Sequence, residues 1–172
     1  MTKTLLALDP SGSFEEGQGT TGYSIWKFNE DNGAYTLIKT GNIRANTFTN
    51  QFDYFEAHIK LIETTQPNVI ILEDYLLYAH KAMQQIGSKM ETPQLIGLIK
   101  YKCNETNIEI VTQEAREVKK RWNDVILIYK GIIHKSGNVY RDCNEHVISR
   151  HAKDSIRHAM HYIAKRLKYG NR

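Results

Sequence analysis

The sequence predicts a mixed α/β fold: a five-stranded sheet, an antiparallel three-strand meander extended by parallel strands, with helices on both faces. Three observations carry this. Residues 4–9 and 69–73 are apolar runs too short for helices, and each ends in a carboxylate. Residues 22–28 and 35–44 are rich in β-type side chains and are separated by a polar turn at Asn29 to Gly33. After residue 50 the apolar period becomes helical, and strand and helix then alternate.

The elements follow in order. Thr4 to Asp9 reads as a buried strand, and Pro10 to Gly19, rich in Gly and Ser, as a loop. Strands over 22–28 and 35–44 complete the meander. Phe48, Phe52, Phe55, Ile59 and Ile62 recur at helical spacing, so 50–65 is an amphipathic helix, ended at Gln66-Pro67-Asn68. Val69 to Glu73 is a second buried strand. Residues 80–90 are helical, and Thr92-Pro93 starts another helix to about 104, Thr92 as N-cap. Residues 108–112 form a strand. Residues 114–129 are helical with a break at Trp122-Asn123, 131–141 form a small hairpin, and 146–168 form the last helix. No repeat, low-complexity segment or linker interrupts the 172 residues, which suit one domain.

Composition narrows the class. With 41% apolar and 24% charged residues the chain reads as soluble and globular. Cys103 and Cys143 have no metal-ligand spacing, which fits a reduced compartment. No leader pattern or membrane-spanning run is present, so a cytoplasmic location is expected. The net charge of +4 is unevenly spread. Residues 1–115 hold 9 basic and 14 acidic side chains, whereas 116–172 hold 14 basic and 5 acidic. A basic surface from one part of the chain suits a polyanion.

Asp9 and Glu73 both end apolar strands. In open α/β sheets ligands gather at the carboxyl ends of the strands. If these two strands are neighbours, the carboxylates converge, and such oxygen donors suit a hard cation such as Mg²⁺. The competing use is ordinary: Asp9-Pro10 starts a turn and Glu73 ends a strand. On the last helix His151, Asp154, His158 and His161 share one face, opposite Ala152, Ile156, Ala159, Met160, Ile163 and Leu167. A solvated polar face would give the same pattern. The set of strand-end Asp, strand-end Glu and late-helix His-x-x-Asp points to metal-dependent chemistry.

These residues resemble a known family. Leu8-Asp9-Pro10-Ser11-Gly12 followed by Thr20-Thr21-Gly22-Tyr23 is similar to the opening of RuvC-type Holliday junction resolvases, which have a ribonuclease-H-like fold. Ile70-Ile71-Leu72-Glu73 resembles their second acidic motif, and Ala115-Arg116-Glu117-Val118-Lys119 their Arg-x-Val-Lys stretch. His151-Ala152-Lys153-Asp154-Ser155 resembles the His-x-x-Asp-Ala opening of their last helix. The four motifs come in the family's order across about residues 5–167.

The resemblance implies a homodimeric endonuclease that cuts branched DNA with two Mg²⁺ or Mn²⁺ ions, leaving 5′-phosphate and 3′-hydroxyl ends. By motif position Asp9 would bridge the ions, Glu73 would bind one and Asp154 the other. His151 would be a ligand or a proton shuttle. Lys119, with Lys120 beside it, would meet the DNA backbone. The family has viral members, so a bacterial or phage gene is implied.

The chain also departs from the pattern. Asp-Pro-Ser-Gly replaces Asp-Pro-Gly, and Phe14 to Gly19 is inserted. Residues 123–145 replace a helix. Leu76 stands where some members place an aromatic that probes the junction; Tyr75 and Tyr78 are the candidates to replace it, with packing the competing use. Met83, Ile86, Met90, Leu95, Leu98 and Ile99 are candidates for a dimer surface, again against core packing. Two other functions fit part of the pattern. A sugar-kinase or actin-like phosphotransferase also opens with strand, Asp and Gly-rich turn, but needs two lobes. A non-catalytic branched-DNA-binding module would leave clustered carboxylates without a cation, which is costly.

Overall fold

A computed structural model describes residues 1–75 and 89–169. Five strands form one sheet: β1 (Thr2–Asp9), β2 (Thr20–Asn29), β3 (Tyr35–Arg44), β4 (Val69–Glu73) and β5 (Glu109–Gln113), in the order β3-β2-β1-β4-β5. β1, β2 and β3 form the antiparallel meander, and β4 and β5 add in parallel to β1. The expected sheet is the observed one. The helices are α1 (Gln51–Thr65), α2 (Glu91–Glu105), α3 (Ala115–Arg121), α4 (Asp124–Tyr129) and α5 (Arg150–Tyr169). A hairpin of β6 (Ile133–Ser136) and β7 (Val139–Asp142) precedes α5.

The central strands are buried on both faces, which is why they read as continuous apolar runs rather than alternating ones. Leu5, Ala7, Val69 and Ile71 pack against Ile156, Ala159 and Ile163 of α5. Leu6, Leu8, Ile70 and Leu72 pack on the other face, with Ile62 of α1 and Leu95 and Ile99 of α2. Helices therefore cover both faces.

Local chemistry sets the boundaries. Asn50 caps α1 by accepting from the Asp53 N–H at 2.9 Å. Asn123 caps α4 through the Ile126 N–H at 3.1 Å, so the break expected at Trp122-Asn123 is a helix restart.

Two expectations need correction. α2 begins at Glu91 after Met90 in the left-handed region, so Thr92 is not its N-cap. The Thr92 hydroxyl instead accepts from the Gly12 N–H at 2.9 Å, and Glu91 accepts from the Phe14 N–H at 2.9 Å. The first turn of α2 thus anchors the inserted loop. The last helix starts at Arg150 rather than 146, because Val147 bridges to Arg141 and Ser149 accepts from the Ala152 N–H. Of the candidate dimer residues, Leu95 and Ile99 take the competing use and pack in the core. Met83, Ile86, Leu76, Tyr78 and most of the helix expected over 80–90 lie outside the described residues. Among the described residues no helix is long and apolar enough to cross a membrane.

Candidate active site

Side chains on a strand alternate between faces. Leu5 and Ala7 point toward α5, so the next residue of that parity, Asp9, does as well. The same count along β4 carries Val69 and Ile71 to Glu73. Because Leu8 pairs with Leu72, the two carboxylates end adjacent parallel strands on one face, over which α5 runs.

Gly22 lets α5 come close. It pairs with Asp9, and a Cβ there would lie 2.0 Å from the His151 carbonyl carbon. Only a glycine lets the first turn of α5 rest on the strand beside Asp9. His151 Nδ1 then lies 2.8 Å from Asp9 Oδ2. One turn further along the helix, Asp154 is 2% exposed. Next comes His158, fully buried, with Nε2 2.9 Å from Glu73 Oε2 and Nδ1 2.9 Å from Gln113 Oε1. Past His151, the polar stripe of α5 is therefore as buried as its apolar side. The solvated-face reading fails, because the stripe faces the strand-end carboxylates.

Basic groups balance the acids. Lys119 Nζ lies 3.0 Å from Asp154 and 3.8 Å from Glu73, so one ammonium stands between two of the predicted ligands. Burial alone would lower the Lys119 pKa, but Asp154 and Glu73 outweigh it and raise it. Burial raises the Asp9 pKa; the His151 hydrogen bond works against this, and repulsion from Glu73 and Asp154 adds to it. The Asp9 hydrogen bond in turn raises the pKa of His151, against the effect of burial.

Behind Asp154 a second layer ties in the hairpin. Arg157 pairs with both Asp154 and Asp124. Lys153 pairs with Asp124 at 2.8 Å and lies 3.6 Å over the Tyr140 ring. Burial would raise the Asp124 pKa, but hydrogen bonds from Lys153 and Tyr140 and the Arg157 charge hold it below the usual carboxylate range.

Asp9, Glu73, His151 and Asp154 are thus brought together, and Lys119 is among them. Lys120 is exposed on the same short helix. Tyr75, two residues beyond Glu73, is half-buried against the α1–α2 cluster. His161 makes no hydrogen bond among the described residues, and its Nε2 lies 3.4 Å from Glu117. Sequence reasoning missed Gln113, Arg157 and Asp124 as parts of the site, and it placed His158 on the stripe without assigning it a partner. Gln113 ends β5 opposite Glu73, so the strand-end rule that found Asp9 would have found it too. Asp124 carried no local cue.

The donors suit a hard divalent cation. They are carboxylate oxygens, they repel one another, and a positive charge already lies between two of them. Among the described residues no three His, Cys, Asp or Glu side chains are already close enough to share one ion. Lys119 takes up the space between Glu73 and Asp154 instead.

No sequence-family model matches the chain, and no curated protein matches it. Solved structures do. Thermus thermophilus RuvC in complex with a Holliday junction substrate superposes with a TM-score of 0.65 at 13% identity, covering 97% of each chain. Fowlpox virus resolvase in complex with Holliday junction DNA has a TM-score of 0.53 at 11% identity, covering 94% of this chain and 97% of that one. The chain has the RuvC-type, ribonuclease-H-like fold.

Proposed function

We propose that this chain is a divalent-metal-dependent endonuclease that cuts Holliday junctions and related branched DNA, leaving 5′-phosphate and 3′-hydroxyl ends. Its place would be the resolution of recombination or replication intermediates, and its working form a homodimer with one site per subunit. The observation that carries the reading is the meeting of Asp9, Glu73 and Asp154 from β1, β4 and α5, with Lys119 and His151 among them. The likeness to two resolvases solved with junction DNA supports the substrate.

Asp9, Glu73 and Asp154 would hold two Mg²⁺ ions, which Mn²⁺ can replace, with His151 as a further ligand or a proton carrier. When bound, the ions would activate water and offset charge on the leaving oxygen. The chain's own groups do the positioning. His158, held by Gln113, fixes the Glu73 carboxylate. Arg157 fixes Asp154. His151 bonds Asp9 and is partly open to solvent, which suits passing a proton. Lys119 would have to leave its place as a cation enters, and a DNA phosphate is the natural anion to receive it.

The test is Asp9→Asn assayed on synthetic four-way, three-way and flap substrates with Mg²⁺, Mn²⁺ and EDTA. Cleavage should vanish while junction binding survives; unchanged cleavage refutes the mechanism. One observation favours a second reading, a non-catalytic branched-DNA-binding module: Lys119 already neutralises two of the acids. Equal junction binding in EDTA, with no cleavage under any divalent ion, would decide for it.

A further inference from the structure

Beside the acidic cluster lies a trough of about 450 Å³ between the β6–β7 hairpin and the first turn of α5. Its wall is apolar, formed by Val139, Tyr140, Val147 and Ile148, and Arg150 and Lys153 line it as well. Val139 and Val147, 40% and 61% exposed, share this trough and so present an apolar surface next to cations. Arg150 and Lys153 lie on the first turn of α5, as His151 does, but on an adjoining face, so the trough opens at the same end of the helix as the proposed cutting site.

Asp124 pairs with Lys153 at one edge of the trough, but the hairpin side is mostly basic. Residues 130–153 hold five basic and two acidic side chains. One of those acids, Asp142, is fully buried, bonded to Thr40 and to the Asn144 and His146 N–H groups. The other, Glu145, lies 3.3 Å from His134. Lys135 is exposed, and Arg150 makes no ion pair among the described residues.

We propose that this trough seats one unpaired nucleotide of the DNA strand flanking the cleaved bond. Its base lies against Val139, Val147 and Ile148, and its neighbouring phosphates rest on Arg150 and Lys135. The inference rests on the nuclease reading and adds a contact made by the hairpin. A duplex is too wide for the space, whereas a single base fits it. Stacking on Tyr140 is not the means, because Lys153 already covers that ring. Branched DNA offers unpaired bases where its arms meet, so the trough would favour branched over linear DNA.

The test uses full-length protein carrying Asp9→Asn, so that binding is read without cutting. Fluorescence anisotropy on four-way and linear DNA is measured between about 50 and 200 mM salt. A fluorescent adenine analogue at the junction centre reports unstacking. Lys135→Ala with Arg150→Ala should weaken junction binding at least tenfold and make the salt slope shallower by about 2. Lys135→Arg should restore its share. Val147→Asp, at an exposed position, should abolish the unstacking signal and the preference for junction over duplex. Variants that keep both the parental slope and the parental signal overturn the assignment. If the Asp9→Asn parent binds no junction at all, the nuclease reading itself fails.

Discussion

His58 offers a sharp test of how the Asp9 end of the sheet is supported. It is buried on α1, with Nδ1 2.8 Å from the Tyr54 carbonyl oxygen and Nε2 2.8 Å from the Thr21 hydroxyl. Thr21 accepts from the Ser11 N–H, and Tyr54 donates to the Ser11 carbonyl, so His58 braces the loop that follows Asp9. Burial lowers its pKa from 6.5 to about 4, although bonding to the helix backbone works against this. Above pH 6.5 the ring is neutral both folded and unfolded, and stability does not depend on it. As pH falls below 6.5 only the unfolded chain takes up the proton, so stability falls until the folded protein also protonates near pH 4. At about 1.4 kcal/mol per pKa unit the loss across this window is about 3 kcal/mol. His151, with its raised pKa, acts the opposite way: the stability it adds is present below its unfolded pKa and is lost as pH rises through the folded one. The assay is urea unfolding from pH 7 to 4.5 for wild type and His58→Gln, in which the His151 effect cancels. The wild-type advantage should shrink by about 2 to 3 kcal/mol on acidification. Parallel pH profiles would refute the burial argument.

Gly22→Ala should push the first turn of α5 off β2, costing about 1–3 kcal/mol and lowering cleavage far more than junction binding; full activity at unchanged Tm would refute the close-approach argument. Asp124→Asn leaves Arg157 and Lys153 short of their counter-charge, and should cost about 2 kcal/mol in chemical denaturation and weaken Mn²⁺ binding measured calorimetrically. Lys119→Met should destabilise the metal-free protein by about 1 kcal/mol, a value reduced by its 38% exposure. Added Mg²⁺ should raise the variant's Tm more than the wild type's; equal gains would show that Lys119 does not compete for the cation's place.

The sheet was legible because its inner strands are apolar throughout and bounded by turns, and that same pattern put Asp9 and Glu73 at strand ends. The stripe on α5 was legible as a stripe. Its burial was not, since a helical face looks the same whether it meets water or carboxylates. Thr92 misled because its hydroxyl serves Gly12, 80 residues away in the chain, rather than its own helix. Arg157 stands three residues after Asp154, a spacing that a helix turns into a pair, but Asp124 gave no cue because only tertiary structure brings it to Arg157.

The parity that aims Asp9 and Glu73 at the same helix sets what kinds of change the gene can absorb. One codon gained or lost within Leu5 to Leu8 would turn Asp9 toward the α1–α2 side and bury apolar residues against the wrong helices. The stretch from Ser13 to Gly19 comes after Asp9 and before the Thr-Gly-Tyr strand resumes, so its length can drift without disturbing that alternation. Lineages of this fold should therefore differ in loop length at this point while keeping the count along β1 and β4 unchanged.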